Sequence, residues 1–260
     1  MNPKDIKFFR QFFREYVKKF YSDAEIDAQI KINMKLKQAH TYLVYRNILF
    51  LSKSLNLKEE EINLAKAIAL FHDIGRFEQL KHYKTFLDRK SESHSEIGLK
   101  ILDEKGILDK MDDREREILI SAIKFHNVRE VPKNLNEKDL FFCRLLRDAD
   151  KIDIFRVWID YFEHKSGYDP SYGMDLSVSN EYSVHIISDI LANKISPLEN
   201  VKTHNDIKLL LLTWIYDVYF DASLNLILKR KYIREIFKIL PKNKEIEKVC
   251  EHINFYISER

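Results

Sequence analysis

Ile62-Asn63-Leu64-Ala65-Lys66-Ala67-Ile68-Ala69-Leu70-Phe71-His72-Asp73-Ile74-Gly75-Arg76 is the stretch whose reading decides the fold. Just upstream, Asn56-Leu57-Lys58-Glu59 reads as a capping box, and Glu60 and Glu61 add negative charge to the first turn of a helix. A dense apolar run then continues to Phe71, so the helix is expected to be largely buried. Gly75 is expected to close it in the left-handed conformation of a C-terminal cap, which places His72 and Asp73 in the last turn.

Helical signals continue on both sides. Ser93-His94-Ser95-Glu96 reads as a second capping box, with His94 in the first turn. A helix is expected from about Asp112 to near His126, ahead of Pro132. Another, capped by Asn134 or Asn136, carries Asp148 and Asp150 and runs to about His164. Residues 165–183, with Gly167, Asp169-Pro170 and Gly173, break the pattern, and Tyr168, Tyr172 and Tyr182 lie in that loop. Val184, Ile187, Ile190, Leu191 and Ile195 resume helical spacing. Residues 207–220 are apolar nearly all round, and two further helical patterns flank Pro241. Only 5 Gly and 5 Pro occur in 260 residues, and no alternating strand pattern is convincing. The chain is therefore expected to be all-α. Residues 1–165 are read as a helical core and residues 166–260 as a loop plus a C-terminal helical extension packed on it. That extension is a candidate dimer surface, lid or completion of the core.

Bulk properties exclude several classes. Hydrophobic residues make up 45% and charged residues 33%, which fits neither a disordered nor a membrane chain. The most apolar stretch, 209–216, is far short of a membrane span, and no signal peptide is visible. With 44 basic and 41 acidic residues the net charge is +3, so a nucleic-acid partner is not called for. Lys229, Arg230, Lys231 and Arg234 form the densest basic cluster, read as a solvated face. Cys143 and Cys250 are far apart and read as buried thiols of a cytoplasmic protein.

The chemistry-bearing residues are histidines and aspartates on or beside these helices. A buried imidazole and a buried carboxylate each need a partner, and a shared cation satisfies both. Their nitrogen and oxygen donors suit Zn, Fe, Mn, Co or Ni, with Mg also admissible. Taken singly, His82, His164, His185, His204 and His252 read as ordinary hydrogen-bonded residues. His40, His72-Asp73 and Asp150 differ by their order. That order resembles the HD superfamily of metal-dependent phosphohydrolases over roughly residues 25–165, most strongly at His72-Asp73-Ile74-Gly75-Arg76 and Asp148-Ala149-Asp150-Lys151-Ile152-Asp153. The resemblance implies a helical HD bundle in which His40, His72, Asp73 and Asp150 ligate a metal. Asp150 is preferred to Asp148, whose plain role is a surface partner of Arg144 or Lys151.

The resemblance further implies that His94 and His126 hold a second metal, as in binuclear members, with Asp73 bridging the two. Mononuclear members would instead use a histidine near position 94 to touch the scissile phosphate. Asn127 stands where those binuclear families have an adjacent histidine. Residues 128–135 lack glycine, so the Gly-Tyr-Pro signature is absent and cyclic di-GMP cleavage is disfavoured. Arg76 and Lys151 are the expected holders of substrate phosphate oxygens, and Lys81, Lys84, Arg89 and Lys90 either line the entrance or form a solvated loop. The implied activity is hydrolysis of a phosphate ester, of a nucleotide or related small phosphorylated metabolite, by metal-activated water. Asp73, Arg76, Lys151 and His94 are its expected catalytic residues. An HD-type single-strand nuclease and a non-catalytic metal-binding sensor are the rival readings.

Overall fold

The structure is a computed structural model that describes residues 1–163 and 176–260. It is all-α: the described residues contain no strand, only one isolated bridge between Ser177 and Thr203. The chain divides into two compact units, one of residues 1–154 and one of residues 155–163 and 176–260 among those described. No described helix is long and apolar enough to cross a membrane.

The first unit contains α1 (Pro3–Ser22), α2 (Ala28–Ser54), α3 (Glu59–Phe71), α4 (Gly75–Tyr83), α5 (His94–Glu104), α6 (Asp113–Phe125) and the first part of α7 (Glu137–Phe162). Asn2 caps α1 through a full capping box, and Pro3 sits where its missing N–H has no consequence. α3 is the central rod and packs against α1, α2 and α6. Phe9, Phe13, Ile48, Leu51, Ile68, Leu70 and Phe71 are fully buried around it. Each such side chain contributes about 1.5–3 kcal/mol by leaving water.

Local expectations about α3 need two corrections. Its N-cap is Lys58, whose N–H donates to Glu61 Oε2 at 3.3 Å. Asn56 instead adopts φ 55° and ends α2, with its N–H on Lys53 O and that of Leu57 on Ser52 O. Asparagine tolerates this left-handed conformation, so the same residue type serves a helix end rather than a start. At the other end, Gly75 is not a left-handed cap. α3 stops at Phe71, His72 follows with φ −54° and ψ −37°, and Gly75 opens α4. Gly75 is needed for space. A Cβ there would lie 2.0 Å from His94 O and 2.6 Å from Gly98 N, both backbone atoms of α5. α4 and α5 thus touch main chain to main chain.

Other elements differ in detail. Ser93 precedes α5, but its hydroxyl meets Ser95 Oγ and caps nothing; Asp88 accepts the His94 N–H at 3.3 Å instead. α6 begins at Asp113 behind the Asp112 cap, and Asn136 caps α7 by accepting from Asp139 N. Asp148 is 1% exposed and is no surface residue.

The second unit contains the end of α7, then α8 (Val184–Leu191), α9 (His204–Thr213), α10 (Asp221–Lys229), α11 (Tyr232–Ile239) and α12 (Lys244–Glu259). Ile195 lies beyond α8, because Asn193 at φ 55° turns the chain. The 207–220 run is not one helix. α9 tightens into a 3₁₀ turn over Trp214–Asp217, and a separate α10 follows. The basic cluster is solvent-exposed at the α10–α11 turn, where Lys231 has φ 61°. Tyr182 donates to Glu245 Oε2 and accepts from Asn243, both at 2.9 Å, which ties Tyr182 itself to the start of α12. His164, Gly167, Tyr168, Asp169-Pro170, Tyr172 and Gly173 lie outside the described residues.

Gly75→Ala is expected to cost at least about 1–3 kcal/mol, because backbone on both sides cannot step aside. A thermal melt reads it directly; an unchanged midpoint would show that the α4–α5 approach has slack.

Candidate metal centre

The break after α3 lets two consecutive residues address one point. Within a continuous helix, neighbours diverge by about 100°. Here Ile74 N bonds to Phe71 O and Arg76 N to Asp73 O, so the chain turns tightly between α3 and α4. His72 and Asp73 both face inward and are almost wholly buried. α2 brings His40, α5 brings His94, the end of α6 brings His126 and α7 brings Asp150.

Two trios form. His40, His72 and Asp150 make one, and Asp73, His94 and His126 the other, each with its ligand atoms within 4.8 Å of one another. Asp73 joins them. Its Oδ2 lies 3.5 Å from both His40 Nε2 and His72 Nε2. Its Oδ1 lies 3.4 Å from His94 Nε2 and 4.0 Å from His126 Nε2.

All four imidazoles are held the same way round. His72 Nδ1 and His126 Nδ1 lie 2.8 and 2.7 Å from the carbonyls of Ala69 and Ile123. A carbonyl can only accept, so Nδ1 carries the proton and Nε2 keeps its lone pair. His40 Nδ1 lies 2.8 Å from Asp153 Oδ2, and His94 Nδ1 lies 2.8 Å from Asp88 Oδ2. Carboxylate or carbonyl partners of this kind orient metal-bound histidines. His40 Nε2, His72 Nε2 and Asp150 Oδ1 are buried without a hydrogen bond, although His40 and Asp150 approach to 3.0 Å. His94 Nε2 and His126 Nε2 stand 3.0 Å apart. With both Nδ1 atoms protonated these are two facing lone pairs, which repel unless a cation lies between their aims. The donor set therefore fits divalent metal.

Electrostatics keep every candidate ligand except His40 in the binding form. Burial, with Arg76 nearby, pushes His94 down to about 3, and burial with His72 pushes His126 down to about 4. Burial also lowers His72. For His40, burial and Lys37 push down but the carboxylates of Asp150 and Asp153 prevail and raise it to about 9. Burial alone would raise Asp73, yet Lys37, His72, Arg76 and His94 hold it well below the usual carboxylate range. Lys37 Nζ sits 2.7 Å from Asp73 Oδ2, a built-in positive charge where the oxygen faces the first trio.

All six expected ligands thus come together. Arg76 also reaches the site: its Nε is 3.4 Å from Asp73 Oδ1, and its Nη1 donates to Phe86 O, Gln79 Oε1 and Asp88 Oδ1. Lys151 belongs to neither trio. It is half-buried and, being next to Asp150 on a continuous helix, points about 100° away from it. Lys84, Arg89 and Lys90 are exposed, and Lys81 pairs with Asp23. Asn127 is a positioning residue, donating to Asp88 Oδ2 at 2.9 Å. Three contributors were not anticipated from the sequence. Lys37 and Asp153 lie one turn from His40 and Asp150, so helical spacing contained them. Asp88 has no such local signal.

Residues 38–154 match the family model of the HD domain. Over those residues the chain is similar to an HD domain. HD domains generally belong to metal-dependent hydrolases, and the buried histidine–aspartate groups found here are compatible with that chemistry. No curated protein and no solved structure matched the chain.

Two outcomes follow for the HD domain. Asp153→Ala and Asp88→Ala are each expected to lower metal affinity about 10–100-fold by releasing a histidine's orientation; competition with a coloured chelator measures it, and unchanged affinity in both would remove them as orienting groups. Stability of the chelator-treated protein is expected to peak near pH 6.5. Below that, the unfolded chain protonates its histidines while His126 and His94 resist to about 4 and 3, so stability falls with falling pH. Above it, the folded state keeps the His40 proton up to about 9 while the unfolded chain has lost it, so stability falls with rising pH. Melting temperatures across this range check both limbs.

Proposed function

We propose that this protein is a phosphohydrolase with two metal ions that cleaves a phosphate ester of a small molecule, with nucleotides as the first class to test. The observation that carries the reading is the division of Asp73, one oxygen toward each trio. In this reading His40, His72, Asp150 and Asp73 Oδ2 hold the first ion, and Asp73 Oδ1, His94 and His126 hold the second. When bound, such ions lower the pKa of water toward neutrality and offset charge on phosphoryl oxygens.

The chain's own groups do the rest. Among the described residues the second trio offers three protein donors, with Asn127 committed to Asp88, and this leaves room for water and substrate. Arg76 is a positive group beside that trio. Its Nη1 is engaged by Phe86, Gln79 and Asp88, so contact with a substrate oxygen falls to Nη2. Lys151 is the second proposed phosphate contact, a half-buried residue outside both trios. Such positive groups act most strongly in a site sheltered from water. The unpaired thiols Cys143, raised to about 12 by burial, and Cys250 suit a reducing cytoplasm and take no part in the chemistry.

Elemental analysis of the purified protein, followed by a panel of nucleotides and other phosphoesters with Mn, Co and Ni, tests the proposal. Two ions per chain and hydrolysis of at least one ester are expected. Asp73→Ala should lose both metal and hydrolysis, and its retention of full activity would sink the assignment. His94→Ala and His126→Ala should each lose one ion; unchanged stoichiometry in both would reject the second ion while leaving the first.

A further inference from the structure

A second charged site lies on the other side of α2. A cavity of about 430 Å³ opens between α1, α2 and α3. Lys7, Arg10 and Arg14 line it from α1, at i, i+3 and i+7, so they share one face. Lys66 joins them from α3, and Glu59 is the one carboxylate in the lining. Four cations against one anion leave an excess of three, equal to the net charge of the entire chain.

These charges are not used up by the fold. Glu59 stands 3.8 Å from Lys66, a loose pair. Lys7, Arg10 and Arg14 have no carboxylate within ion-pair distance among the described residues. The contact that Arg10 makes is with the face of Tyr45, at 5.7 Å. Like charges stacked one turn apart repel and weaken a helix. A bound anion would turn that repulsion into binding energy. Tyr42 and Tyr45 form the α2 wall, half-buried, with flat faces beside the cations. They lie about 200° and 140° around α2 from His40, so the pocket is turned away from the metal centre.

We propose that this pocket binds the polyphosphate group of a small ligand, separately from the metal centre. Arg10 and Arg14 supply planar donor pairs suited to phosphate, Lys7 and Lys66 add point charges, and Tyr45 with Arg10 offers a stacking surface for a flat ring. A free inorganic polyphosphate and a nucleoside polyphosphate share this chemistry. The site does not depend on the hydrolase reading, since no residue is common to both.

Calorimetric titration of inorganic triphosphate and of a nucleoside triphosphate into the metal-loaded protein tests it, repeated in Asp73→Ala and in Arg10→Ala/Arg14→Ala. Saturable binding that persists in Asp73→Ala and weakens at least about tenfold in the double variant is expected, with weakening in higher salt. The double variant should keep its metal content and melting temperature, because both arginines are exposed. Nucleoside triphosphate binding tighter than triphosphate, with the advantage lost in Tyr45→Ala, identifies a nucleotide; equal binding identifies the polyphosphate alone. Absence of binding at about 1 mM, or equal affinity in wild type and double variant, would overturn the proposal. Binding of a single-stranded oligonucleotide without binding of either triphosphate would also overturn it, in favour of a nucleic-acid surface.

Discussion

The Asp73 carboxylate is a buried negative charge at the end of the most apolar helix of its unit. Such a group is costly unless its surroundings supply opposite charge and hydrogen bonds. Around it stand Lys37 at 2.7 Å, Arg76 at 3.4 Å and four inward-facing imidazole nitrogens within 4.0 Å. α2, α4, α5, α6 and α7 together meet that requirement, because each delivers one partner or the group that orients one. Lys37 compensates one oxygen only in part, and among the described residues no group in contact with them compensates the facing lone pairs of His94 and His126. A bound cation would complete both.

Orientation is as important as proximity. Each imidazole has its outer nitrogen tied to an acceptor, by a helix-end carbonyl for His72 and His126 and by a carboxylate for His40 and His94. The partner alone does not set the basicity, since His94 is pushed down to about 3 by burial and Arg76 despite its carboxylate. A carbonyl fixes the tautomer while leaving the ring easily neutral. The carboxylate pair on His40 raises its basicity, so that histidine binds a proton until metal displaces it. Asp88 links the parts, since it receives His94, Arg76, Gln79 and Asn127.

The backbone contact between α4 and α5 sets the second trio. Because Gly75 lets His94 O approach to where a Cβ would stand, α5 begins directly against the turn that carries His72 and Asp73. A glycine that resembles a helix cap in sequence is thus a spacer between helices. The same local ambiguity explains Asn56, which ends α2 rather than starting α3. Asx and glycine residues favour both ends of helices for related reasons, and only the packing of neighbours selects one. The apolar content of the 207–220 run says little about where hydrogen bonding tightens into a 3₁₀ turn.

The sequence by itself determined that the chain is helical, which helix is buried and which histidines and aspartates are the candidate ligands, because these depend on short-range periodicity and on an order of residues that resembles the HD motif. It held Lys37 and Asp153 within reach of the same helical spacing. The tertiary structure alone decided how the carboxylate of Asp73 is shared, which imidazole nitrogen faces inward, and that Asp88 and Asn127 support His94. Those are distances between residues up to 113 positions apart. No local pattern encodes them, because they arise when separate helices bury their apolar faces together and bring their polar residues to one point.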